Sequence, residues 1–195
     1  MGNSKNASKI NLRFFVLVLL ILVAAFSRLV PHIFNFSPLN AICLFGAAKF
    51  SKKWQAFLIP IAACWLSDLF IINVSYGHLY GNFTWFYNGF YWQYASYALI
   101  TFAGLFIFKK TTVSRVLSGV LTSTVIFFLV TNFGCFPGNP AYPQNIGGLM
   151  SCYAAGLPFV QGTFFGTLFY SAILFGTFAL LQQRFTVLKP AYIIQ

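Results

Sequence analysis

The chain has 195 residues, 59% of them apolar and 7% charged, where an ordinary soluble domain carries roughly 25% charged residues. So few charges cannot solvate the outside of one core, which excludes a soluble globular protein and makes lipid the expected solvent of most of the surface. Twelve Lys and Arg stand against one acid; in a soluble chain that balance would suggest nucleic acid, but here the basic residues sit between apolar runs and mark loop ends.

Taken in chain order, apolar runs cover roughly 14–30, 36–50, 54–74, 92–108, 113–133 and 158–181, and about 20 helical residues cross a hydrocarbon core of ~30 Å. The pattern predicts an all-α integral membrane protein of six transmembrane helices, the second short or broken and the fourth also short. A basic leader (1–13) precedes the transmembrane domain (14–181), and a tail (182–195) follows it. The clusters Lys5/Lys9/Arg13, Lys49/Lys52/Lys53, Lys109/Lys110/Arg115 and Arg184/Lys189 fall on one side if the N-terminus is cytoplasmic, leaving Arg28 alone on the other. By the positive-inside rule both termini are then cytoplasmic, 75–91 and 134–157 are extracytoplasmic, and the setting is an inner (plasma) membrane. A cleaved signal peptide, with a small-residue site at Val23-Ala24-Ala25, is the alternative reading of the N-terminus; it leaves five spans.

The outer end of the first span reads Arg28-Leu-Val-Pro31-His32-Ile-Phe-Asn35-Phe36-Ser37-Pro38-Leu-Asn40. The second span is too short to cross alone, so its approach through Asn35 and Ser37 is expected to be non-helical backbone, tolerated at membrane depth only inside protein or beside a cavity. Ser37 as N-cap and Pro38 at the first helical position would aim unpaired N–H groups and a positive dipole end outward, a site for an anion or polar ligand. The competing reading is a plain turn with capping side chains.

Asp68, the chain's one acid, lies about 21 Å along the third span from Trp54, near the depth expected of Arg28. Buried ionisable groups in a span need partners, so the two are expected to pair, either to pin spans one and three or to line a ligand pocket. The aromatic stretch Tyr76–Tyr97, with His78, Asn82 and Asn88 interleaved, reads mostly as an interfacial belt, with some rings available to a planar solute. The 134–157 segment, rich in Asn, Gly, Pro and Tyr, predicts a loop. Gly162-x-x-x-Gly166 and the small residues Ser118, Gly119, Thr122 and Ser123 predict close helix contacts.

Cys43, Cys64, Cys135 and Cys152 lack metal-ligand spacing, and Cys135 and Cys152 read as unpaired thiols more readily than as a disulfide. No nucleophile and base, paired carboxylates or nucleotide loop is present, so neither catalysis, a metal nor a cofactor is expected.

The run Arg28-x-x-Pro31-His32-x-x-Asn35-Phe36-x-Pro38-x-x-Ala41-x-x-Leu44-Phe45-Gly46, with Ser67-Asp68, Thr131-Asn132-Phe133, Gly147-Gly148-Leu149 and Cys152-Tyr153-x-Ala155-x-x-Pro158-Phe159, carries a resemblance. It resembles an uncharacterised bacterial family of six-helix proteins assigned to transport, itself similar to the substrate-binding S components of energy-coupling-factor transporters. The resemblance implies six helices, an outward-facing site for a small vitamin-like or anionic solute, and a transmembrane coupling subunit with ATPases as partners. It also implies pocket positions at Arg28, His32, Asn35, Asp68, Asn132 and Tyr153. This chain departs from that family at Gln161-Gly162 and at Thr167, where an Arg-Asn pair and an Asp are expected, so a second charge pair is absent. A different class, a structural or assembly subunit of a membrane complex without its own ligand, is the alternative.

Overall fold

In the computed structural model the backbone is described for residues 2–30 and 33–189, and side chains from residue 12 onward within those limits. Among the described residues there is no strand, and the helices run α1 (Gly2–Phe26), α2 (Leu39–Lys49), α3 (Lys53–Phe70), α4 (Gly77–Tyr80), α5 (Phe90–Ile107), α6 (Val113–Cys135) and α7 (Ile146–Arg184). A 3-10 turn, Ser27–Leu29, closes α1, and a π-helical turn, Ile71–Ser75, extends α3. Four stretches, Leu12–Leu29, Lys53–Ser75, Val113–Cys135 and Ile146–Arg184, are long and apolar enough to cross a membrane. Large apolar side chains cover the outside of these helices, among them Phe15 and Leu19 on α1, Leu121 and Val125 on α6, and Phe165 and Phe169 on α7. That surface suits lipid and not water.

The short second helix stands at the centre. Every residue from Leu39 to Ala47 is buried, and α1, α3, α5, α6 and α7 all pack on α2. A helix apolar on all sides belongs in a core, and eleven residues reach only about 16 Å. Its neighbours, not lipid, satisfy it. Phe45 meets the rings of Phe175 and Phe178 edge-on, with centroids 5.3 and 5.8 Å away, and Gly46 lies so close to Pro60 of α3 that an added Cβ would collide with the ring. Gly46→Ala should therefore lower stability by about 1 kcal/mol, the low end of overpacking because the pyrrolidine Cγ can shift, read as a lower thermal midpoint in detergent.

The 134–157 segment differs from the expected loop. It ends at Asn145, whose extended backbone (φ −143°, ψ 178°) and Oδ1, accepting from Gly148 N–H at 2.9 Å, start α7. The apolar residues Ile146, Leu149, Met150, Ala154 and Ala155 then carry a helix that the flanking Asn, Pro and Gly-Gly disguised as turn. It continues through Pro158 for 39 residues, about 58 Å at 1.5 Å each.

At the ends, the basic leader is part of α1 from Gly2 onward, and the chain after α7 turns back as a 3-10 segment, Thr186–Leu188, against α1. Leu188 is buried there, and Gln182 Nε2 donates to its carbonyl at 3.1 Å. At this end of the bundle Arg13 Nη2 donates to Lys49 O (2.9 Å), and Lys49 Nζ donates to Thr111 Oγ1 (3.2 Å).

Candidate functional site

Arg28 lies in the 3-10 turn after α1, opposite the last turns of α3. Its Nη1 donates to Asp68 Oδ1 at 2.6 Å and to Ser67 Oγ at 3.0 Å, while Ser67 passes its own proton to Cys64 O at 2.8 Å. The other carboxylate oxygen, Oδ2, accepts from Tyr94 Oη at 2.6 Å. Asp68 is only 5% exposed, and both its oxygens are bonded, as a buried carboxylate requires. Among the described residues this is the ion pair of the molecule. Tyr94→Phe removes a hydrogen bond to a charged group and should cost about 1.5–3 kcal/mol, measured as a fall in thermal midpoint.

The chain between the 3-10 turn and α2 is non-helical, as the short second helix requires. Asn35 adopts a positive φ of 59°, Phe36 N–H closes a turn on Ile33 O at 3.0 Å, and the Phe36 ring lies 5.5 Å from Phe169 and 5.9 Å from Tyr170. The backbone of this loop is laid against α7 at its two glycines. A Cβ on Gly162 would collide with Phe34 O, and one on Gly166 would come within 2.7 Å of Ser37 N. The GxxxG therefore seats loop backbone and not another helix: two missing side chains one turn apart leave a flat shelf that accepts any close backbone. Pro38 has helical dihedrals (φ −75°, ψ −11°), and Ser37 Oγ accepts a long bond from Leu39 N–H at 3.5 Å.

Where these elements converge, a cavity of about 330 Å³ opens, at the small end of the roughly 300–1,000 Å³ of ligand sites. Its polar lining comes from Arg28, Asn35, Ser37, Asn40, Gln93, Tyr97, Thr163 and Thr167, and its apolar lining from Leu39, Ile71, Tyr76 and Phe127. Asn40 is 4% exposed, yet its Nδ2 has no hydrogen-bond partner. A buried amide left so costs about 1–3 kcal/mol, which a ligand bonded to it would offset.

Of the residues singled out from sequence, Arg28 and Asn35 line the cavity, and Asp68 stands behind Arg28 and holds it. His32 lies outside the described residues. Asn132 and Tyr153 are placed between α6 and α7: Asn132 Nδ2 donates to Phe128 O (2.8 Å) with its amide resting on Gly156, and Tyr153 Oη donates to Leu129 O (2.8 Å). Neither is among the residues that line the cavity.

Sequence reasoning missed Gln93 and the two threonines. Gln93 Nε2 donates to Tyr97 Oη at 2.6 Å, and the fully buried Tyr97 ring stacks on Phe127. Both pairs, Gln93/Tyr97 and Thr163/Thr167, are four residues apart on one helix face, which was the signal available. In the aromatic stretch Tyr76 and Tyr97 reach the cavity, whereas Tyr80, Phe83, Trp85, Phe86 and Tyr91 are exposed, as a belt would be. The four cysteines are free thiols, with Cys135 exposed and the others buried.

Fold and site together define an all-helical protein with a membrane-type exterior and a polar cavity inside it. Residues 8–190 match DUF6580, a family of unknown function, and the chain belongs to that family. No curated protein and no solved structure matches it.

Proposed function

We propose that the protein is a transport protein of the inner (plasma) membrane, S-component-like, which binds a small vitamin-like or anionic solute from the extracytoplasmic side for uptake. The observation that carries this reading is the half-open, polar-lined cavity in an apolar bundle, with Asn40, whose Nδ2 is buried without a partner, among its lining residues. A structural subunit has no use for such a chamber, since each buried polar group in it lowers stability unless something bonds to it.

In this reading α1, the 33–38 loop with α2, α3, α5, α6 and α7 make six crossings with both termini cytoplasmic. Arg13 and Lys49 meeting at one end, beside Thr111 that follows Lys109 and Lys110, support that orientation. Arg28 and the cavity then face the other side. The protein performs no catalysis, and a transmembrane coupling subunit with ATPases supplies the energy.

Native mass spectrometry of the protein isolated from its own membrane in mild detergent tests the reading. A retained small molecule is the expected result. An empty protein held tightly in a large assembly unrelated to transport would overturn it in favour of a structural subunit.

A further inference from the structure

We infer that the cavity takes its solute through a carboxylate, held between the outer edge of the Arg28 guanidinium and the start of α2 at Asn40; this rests on the solute-binding reading above. Arg28 makes its protein bonds through Nη1, so Nη2 and Nε have no protein acceptor among the described residues. Those two N–H groups are the side of the fork that matches two oxygens of one planar group. Asn40 lines the same cavity, and its Nδ2 is buried beside it without a partner. It also belongs to the first turn of an eleven-residue helix, whose amides precede the first i→i−4 bond, from Ile42 N–H to Pro38 O at 2.9 Å.

The side chains that α7 contributes are of the other kind. Thr163 and Thr167 give their protons to Phe159 O (3.3 Å) and Thr163 O (2.7 Å), which leaves the cavity only hydroxyl lone pairs. The cavity's donors thus come from Arg28 and the start of α2, and α7 adds acceptors. A group fitting those donors accepts and does not donate.

Charge narrows the class further. Asp68 already neutralises Arg28, so these donors retain little beyond the partial positive charge of the α2 terminus, about half an elementary charge. A phosphate dianion would be left largely uncompensated, whereas the single delocalised charge of a carboxylate is matched. Phe127, whose ring stacks on the buried Tyr97, offers the solute body an aromatic surface.

The test uses the full-length protein from its native membrane. Small molecules released on denaturation are coupled to an isotope-labelled amine that reacts with activated carboxylic acids and are weighed, for wild type and for Asn40→Asp. A labelled solute from wild type, reduced about tenfold or more in an Asn40→Asp protein that still folds, is expected, because an acceptor replaces the donor. A released solute that takes no label, whether neutral, cationic or a phosphate ester, overturns the carboxylate and leaves solute binding standing. Nothing released beyond matched membranes lacking the protein overturns both. Equal labelled solute from the two proteins overturns the placement at Asn40. Should Asn40→Asp fail to fold, displacement of the wild-type solute by sodium benzoate but not by benzamide reads the same preference; displacement by both alike, or by neither, overturns it.

Discussion

Asp68→Ala is expected to destabilise the bundle by about 3–5 kcal/mol, because it leaves the Arg28 guanidinium buried without its counter-charge and Tyr94 Oη without its acceptor. Thermal unfolding in detergent measures it. The informative companion is the double variant Arg28→Met/Asp68→Leu, which removes both charges and replaces them with apolar groups of similar size. It should recover most of the lost stability, since a buried pair is often no better than a hydrophobic replacement. If the pair lines the solute site, the same protein should no longer capture solute. Recovery of stability together with full capture would make the pair a clamp between α1 and α3 and nothing more.

Gly162→Ala should destabilise by about 1–3 kcal/mol, through backbone and not through any lost polar group. The added methyl meets the Phe34 carbonyl, which cannot rotate away as a side chain could. The 33–38 loop must lift from α7, carrying Asn35 and Ser37 with it, so solute retention should fall even though every polar residue of the cavity is intact. Gly176→Ala on the same helix, where nothing lies within 4 Å of the new methyl, is the control and should leave both properties unchanged. A Gly162→Ala protein with normal stability and normal retention would show that the loop does not shape the site.

Hydropathy made the helices legible, because a lipid-facing exterior and an apolar core leave the same unbroken signal along the chain. It placed α3, α5 and α6 within a few residues of their observed limits. It could not show that α2 is enclosed, since a short apolar run reads alike whether it ends in a bilayer or in a core. Composition failed at 146–157, where an Asn cap and two glycines resemble a turn until the capping bond is seen. The Arg28–Asp68 pair was legible because one acid in so apolar a chain has few possible partners. Gln93, Thr163 and Thr167 were not, since an amide or hydroxyl can satisfy itself on its own helix and its outward lone pairs leave no trace in the pattern. Asn132 and Tyr153 show the converse: polar groups in a suggestive run that bond to carbonyls on α6.

Pro158 divides α7 into two mechanical parts. Lacking an N–H, it leaves the Ala154 carbonyl without its i→i−4 donor, so the helix is softest there. The part before it is fastened to α6 through Asn132 and Tyr153, and the part after it carries the shelf for the loop and the threonine wall. Bending at this one joint would let the first part move with α6 while Thr163 and Thr167, beyond it, keep their place, so one continuous helix can serve two neighbours that move independently.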